Sequence, residues 1–141
     1  MCIRDSHYGD AEKTKEAFAK AAHTVKLDIR NTRLVVAAME PRSAIGDFDK
    51  ANEKWTLTSC SQGAFGLKNG LMDVLGAAAD KVRVITGNVG GSFGMKAAVY
   101  PEYICILHAA RALGRPVKWT DERSGSFVSD HQGRDLSLIH I

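Results

Sequence analysis

The sequence predicts an α+β fold in which mixed sheet segments carry flanking helices. Three observations point there. Apolar residues recur at helical spacing in three stretches, and short strand-like stretches lie between them. The two kinds of segment then alternate irregularly, with no internal repeat and no low-complexity linker. The residues alone leave the more regular α/β class open.

Asp10 to Thr24 reads as a helix, because Phe18, Ala21, Ala22 and Val25 fall on one stripe. Lys13, Glu16 and Lys20 give that helix a charged, solvated face. From Val25 the period becomes two: Val25, Leu27 and Ile29 alternate with Lys26, Asp28 and Arg30, which predicts a strand with one buried face. Leu34 to Met39 is a small-apolar run, broken by Glu40-Pro41-Arg42. Ala44 to Asp49 and Trp55 to Ser59 read as two strands joined by a polar turn from Lys50 to Lys54. Gly63 to Leu75 is a helix with Leu67, Leu71, Val74 and Leu75 on one side. Lys81 to Thr86 is a short strand, and Tyr100 to Leu113 is a helix with Pro101 suited to its first turn and Gly114 to its cap. Pro116 to Thr120 closes the series as a strand. In the last helix Cys105 is expected in the core and His108 partly buried, with no second ligand at metal spacing.

The ends read differently. Met1 to Ser6 back-translates as ATG TGT ATA AGA GAC AGx, whose reverse complement encodes the residues Leu136 to His140. One DNA element read on opposite strands accounts for both, and it resembles the transposase end used in sequencing libraries. Residues 1–6 and 136–141 are therefore expected to be adapter translation, leaving His7 to Asp135 as a partial domain cut from a longer protein. The chain has 141 residues and a net charge of +3, and that small, scattered excess argues against a nucleic-acid surface. No apolar run reaches the roughly 20 residues of a membrane span. Cys60 and Cys105 stand far apart with no CxxC, so no zinc or iron–sulfur pattern is present and a reducing, cytoplasmic compartment is expected.

Chemistry concentrates in Gly87 to Lys96, with four glycines in eight residues behind a strand. A strand, a glycine loop and a helix form the general geometry for holding an anion on backbone N–H groups. The spacing of Gly87, Gly90, Gly91 and Gly94 does not fit GxGxxG, and Lys96 is not followed by Ser or Thr as in a P-loop. The loop alone thus leaves two readings, a phosphate- or nucleotide-binding nest and a structural turn. Gln62 stands at a strand-to-helix turn, where an exposed glutamine with no role is the simple reading. Glu40-Pro41-Arg42 reads as a turn with a surface ion pair.

Four motifs in order change the balance: Met39-Glu40-Pro41-Arg42, Ser61-Gln62, the run from Gly90 to Lys96, and the run from Gly114 to Trp119. Together they resemble the large, molybdopterin-binding subunit of the xanthine oxidase family of molybdenum hydroxylases. The stretch from Val99 to Arg123 is nearest the branch holding aerobic carbon monoxide dehydrogenase large subunits and related aldehyde- or heterocycle-oxidising enzymes. The resemblance covers nearly all of His7 to Asp135.

The resemblance implies several things. The fold would be part of the molybdopterin-binding domain of a larger subunit. Gly90, Gly91, Ser92, Phe93 and Gly94 would approach the cofactor through backbone N–H groups, with Phe93 at the metal. Gln62 would hydrogen-bond an oxygen ligand of molybdenum. The glycines would let backbone reach a bulky anionic ligand where a Cβ would collide. The cofactor implied is molybdenum–molybdopterin, with the cytosine dinucleotide form as one version. Partners carrying 2Fe-2S clusters and FAD would take the electrons. The reaction implied is oxidation of an aldehyde, N-heterocycle or similar small substrate with water as oxygen source. The family's base glutamate lies far C-terminal, so neither Glu102 nor Glu122 takes that role and His7 to Asp135 alone should be inactive. A non-catalytic subunit that kept the fold is a further possibility. Ser92 replaces the third glycine of the common loop, where a positive φ would strain it. Ala97 replaces the glutamate of the purine-oxidising branch, which argues against xanthine as substrate.

Overall fold

The structure, a computed structural model, describes residues 9–133, so the segments expected to be adapter translation lie outside it. The chain divides into two units, the first ending at Arg30 and the second starting at Asn31.

In the first unit, α1 spans Ala11–Lys20. Asp10 caps it by accepting hydrogen bonds from the N–H groups of Glu12 and Lys13, two of the donors a helix start leaves open. The helix stops at Lys20, short of the expected Thr24, and none of its residues is buried. The expected strand from Val25 to Arg30 does not form, and Val25, Leu27 and Ile29 are 91%, 75% and 80% exposed. Alternation says which face a strand would bury. A strand also needs a neighbour for its N–H and C=O groups, and this segment has none among the described residues.

The second unit is built on one mixed sheet. β1 (Ser43–Asp49) and β2 (Lys54–Ser59) make an antiparallel hairpin, and β4 (Val117–Thr120) joins the other side of β1, also antiparallel. β3 (Val82–Ile85) lies parallel to β2, giving the order β3-β2-β1-β4. A parallel pair needs a crossover, and α2 (Ala64–Leu75) supplies it. These strands match the sequence expectation to within a residue or two, as boundaries usually do.

The hairpin register places Ala44 opposite Ser59, Gly46 opposite Leu57 and Phe48 opposite Trp55 on the inner face. That face is covered by α2 and by α3 (Pro101–Leu113), around a core of Leu57, Leu67, Leu71, Val82, Tyr103 and Leu107. Gly46 permits the close approach of α3: a Cβ there would lie 2.9 Å from Ile106 C and Leu107 N. The inward stripe of α3 is Tyr103, Ile106, Leu107 and Ala110, at helical spacing. Cys105 falls off that stripe and is exposed, against the expectation that it is core. His108 is also exposed, with its ring edge-on to Trp55 at 5.6 Å. On α2, Leu67 and Leu71 are buried, whereas Val74 turns outward.

Two features were not legible beforehand. α4 (Arg123–Ser129) forms from a Ser- and Gly-containing stretch of weak helix formers. The apolar run before β1 forms no strand and, among the described residues, meets Gly133 in one antiparallel bridge from Leu34.

Candidate cofactor site

Topology brings three distant segments to one end of the sheet. β2 and β3 are parallel, so the loops leaving their C-terminal ends emerge side by side. β1 runs antiparallel to β2, so the segment entering β1 arrives at that same end. Ser61-Gln62, the glycine loop and Glu40 therefore meet although they are far apart in sequence.

Glu40 and Lys96 tie the loop down. The Lys96 ammonium is fully buried and donates to Glu40 Oε2 at 2.8 Å. The same carboxylate oxygen accepts from the Gly90 N–H at 2.9 Å, and the Glu40 N–H donates to the Gly90 carbonyl at 3.1 Å. The Lys96 hydrogen bond, and after it the Gly90 N–H, hold the Glu40 carboxyl below the usual carboxylate range, against a smaller opposing push from burial.

Gln62 is the second anchor. Its N–H donates to the Lys96 carbonyl at 3.2 Å, beside a bond from the Ser61 hydroxyl at 3.4 Å. Its side-chain Oε1 accepts twice, from the Ser92 hydroxyl at 2.7 Å and from the Gly94 N–H at 2.8 Å. A backbone N–H can only donate, so the amide atom facing Gly94 must be the oxygen. The two-hydrogen nitrogen of Gln62 is thereby turned away from the loop, and it meets no acceptor among the described residues.

The backbone of the loop explains its glycines. Gly91 and Gly94 sit at φ +95° and +89°, where side chains are disfavoured. Phe93 also has a positive φ, +51°, at a cost of about 1 kcal/mol for a non-glycine residue. Ser92, where such strain was expected, escapes it. The collisions that exclude side chains come first from the protein itself. A Cβ at Gly90 would lie 2.6 Å from Glu40 Cβ, and one at Gly91 would lie 3.1 Å from the Phe93 ring and 3.5 Å from Ala38. Phe93 is 76% exposed. The N–H groups of Gly91, Ser92 and Phe93 have no acceptor among the described residues, while those of Gly90 and Gly94 are engaged by Glu40 and Gln62. A run of open backbone donors beside an outward carboxamide nitrogen fits an anionic, oxygen-rich ligand.

Arg42 overturns the surface ion pair expected for Glu40-Pro41-Arg42. Its side chain is fully buried and binds Glu102 through both terminal nitrogens, at 3.2 and 3.3 Å. Asp130, Asp121 and Ser129 complete its shell. The guanidinium lies 3.6 Å from the centre of the Tyr100 ring. Burial works to lower its pKa, and the Glu102 and Asp130 hydrogen bonds overcome that, so the net shift is upward. Tyr100 in turn donates to the Met95 carbonyl at 2.6 Å, which links this buried cluster to the turn after the glycine loop. The sequence singled out the loop and the resemblance singled out Gln62, which the structure brings together; the sequence did not single out Lys96 as a buried cation or Arg42 as a hub. The one available signal was Arg42 standing between an apolar run and a strand.

Comparison with known proteins agrees with this geometry. Residues 2–139 match the family model described as the molybdopterin cofactor-binding domain. The chain is similar to the carbon monoxide dehydrogenase large chain of Hydrogenophaga pseudoflava, 31% identical over 130 residues that cover 92% of this chain and 16% of that one. It is 33% identical to the nicotine 6-hydroxylase large subunit of Paenarthrobacter nicotinovorans, covering 86% of this chain and 15% of that one. Among solved structures, a Cu,Mo-CO dehydrogenase in its carbon monoxide reduced state superposes with a TM-score of 0.68 at 28% identity, over 90% of this chain and 16% of that one. The chain thus spans only 16% of the length of the first of these relatives. Its α+β sheet corresponds to part of the molybdenum-binding domain in the CO dehydrogenase structure. The chain belongs to the molybdopterin cofactor-binding domain family, within the xanthine oxidase family and close to the carbon monoxide dehydrogenase large chains.

Proposed function

We propose that Gln62 and the loop from Gly90 to Gly94 form one wall of a molybdenum–molybdopterin site, in its cytosine dinucleotide form. The whole protein would oxidise a small aldehyde or N-heterocycle with oxygen from water, and pass the electrons to 2Fe-2S and flavin partners. The observation that carries this is the Gln62 amide, held by its oxygen so that its nitrogen donates outward beside the open N–H groups of Gly91, Ser92 and Phe93. Among the described residues no group of His, Cys, Asp and Glu could hold a metal directly. In this chain Gln62 and Phe93 would sit near the metal, by way of its ligands or through backbone.

When bound, the cofactor supplies the two-electron redox chemistry. This chain's residues do the positioning. The backbone donors of Gly91, Ser92 and Phe93 bind anionic oxygen, and Gln62 orients an oxygen group by a single directed hydrogen bond. Phe93 presents an exposed apolar ring beside them. Lys96 is neutralised by Glu40 instead of being held out to a ligand, so the loop lacks the available cation of a phosphate cradle. No helix among the described residues is long and apolar enough to cross a membrane.

The test is Gln62→Ala in the full-length enzyme. Molybdenum content is expected to stay unchanged while turnover per molybdenum falls by up to roughly 10² to 10³, the range for one donor at a reacting centre. A rate within about twofold of wild type would remove Gln62 from the site.

A further inference from the structure

We propose that Ser92 is a positioning residue that fixes the Gln62 amide in a single donor-outward orientation. This rests on the role given to Gln62 above. The Ser92 hydroxyl donates to Gln62 Oε1 at 2.7 Å and accepts from the Lys96 N–H at 3.1 Å. The Lys96 N–H occupies one lone pair of the hydroxyl, which directs the hydroxyl proton to the glutamine. Lys96 is itself immobile: its ammonium is buried on Glu40 and its carbonyl accepts the Gln62 N–H. Ser92, Gln62 and Lys96 thus close a ring of hydrogen bonds that begins and ends on one buried residue.

The second donor matters for geometry. With Gly94 alone on Oε1, the amide could swing about one hydrogen bond and spread the direction of its nitrogen. Two donors arriving on the same oxygen fix the plane of the carboxamide. They also oppose its flip, because the flipped NH₂ would face the Gly94 N–H, a donor against a donor. Ser92 therefore acts on the reaction through Gln62, without needing to touch the cofactor by its side chain.

A double-mutant cycle on the full-length holoenzyme tests this, with Ser92→Ala, Gln62→Ala and the pair together. Ser92→Ala should retain molybdenum and KM within about twofold and lower kcat about three- to tenfold, the scale of one neutral hydrogen bond. In the Gln62→Ala background the same change should do nothing further, and Ser92→Thr, which keeps the hydroxyl, should restore the rate. A crystal structure of the Ser92→Ala enzyme should show the Gln62 amide displaced or split between two positions. Three results would overturn the proposal: an unchanged kcat in Ser92→Ala, an equal loss in both backgrounds, or a Gln62 amide that keeps its place. If Ser92→Ala fails to load the cofactor, Ser92→Thr decides, since failure of that variant too would make the role one of shape rather than of the hydroxyl. A neutral Gln62→Ala instead removes the role of Gln62 itself, and this inference with it.

Discussion

Lys96 is buried without water to solvate its charge, and Glu40 at 2.8 Å is the group that compensates it. Replacing Glu40 by Gln would keep a hydrogen-bond acceptor near Gly90 but leave a buried cation unpaired. We expect a loss of about 1–3 kcal/mol, less than for a fully enclosed pair because the Glu40 side chain stays 37% exposed. The pH dependence follows from its lowered pKa. A carboxyl depressed by folding contributes stability that is present above its unfolded value of about 4.3 and lost as the pH falls through its lower folded value. Opening of loop residues 90–96, read as amide exchange relative to the intrinsic rate at each pH in the full-length protein, should therefore rise in wild type as the pH falls below the ordinary carboxylate value of about 4.3. In Glu40→Gln it should be raised already at neutral pH and respond less to acid. At this scale the loop stands out by its glycines and Gln62 only by the resemblance, because both lie in short local motifs. The sequence hid what Glu40 and Arg42 do. The partners of Arg42 lie 60 to 88 residues away, so no local window contains the charge that makes its burial tolerable.

Strands that find a neighbour in the sheet were legible, even β4, whose partner β1 is far off in sequence, and the one expected strand that finds none was misread. The β1–β2 hairpin and the α2 and α3 helices declared themselves by alternation, turn residues and caps. The segment from Val25 to Arg30 carries an equally clean alternation, yet it has no neighbouring strand among the described residues and stays irregular and exposed. Pattern states a preference for a face, and packing decides whether a strand exists. The contact between β1 and α3 offers a direct check. Gly46→Ala puts a Cβ 2.9 Å from α3 backbone, which cannot swing aside as a side chain would. We expect about 1–3 kcal/mol of destabilisation, seen as lost amide protection in Tyr103 to Ala110. Gly66→Ala, in α2 with nothing within 4 Å, should instead be neutral or stabilising by up to about 1 kcal/mol. Equal effects at the two sites would mean that α3 does not rest on Gly46.

At the scale of the molecule, one face of the sheet carries the helices and core while the other presents Ile45, Arg83 and Lys118 outward. The sheet is thus a platform whose end, where β2 and β3 finish in parallel, holds the glutamine and the glycine loop. Both anchors of that loop, Glu40–Lys96 and Gln62, and the Arg42–Tyr100–Met95 chain behind them draw on residues from across the second unit. Whether this loop holds molybdopterin is tested most directly by molybdenum per subunit in full-length Gly91→Val. A β-branched residue at φ +95° is strained and meets the Phe93 ring, so the open N–H groups at 91 to 93 would be displaced. Molybdenum content should fall by about tenfold or more, a loss of binding of at least about 1.4 kcal/mol, while the unfolding temperature stays within a few degrees of wild type. Full molybdenum occupancy in a folded Gly91→Val protein would show that the loop is a structural turn and not the wall of a cofactor site.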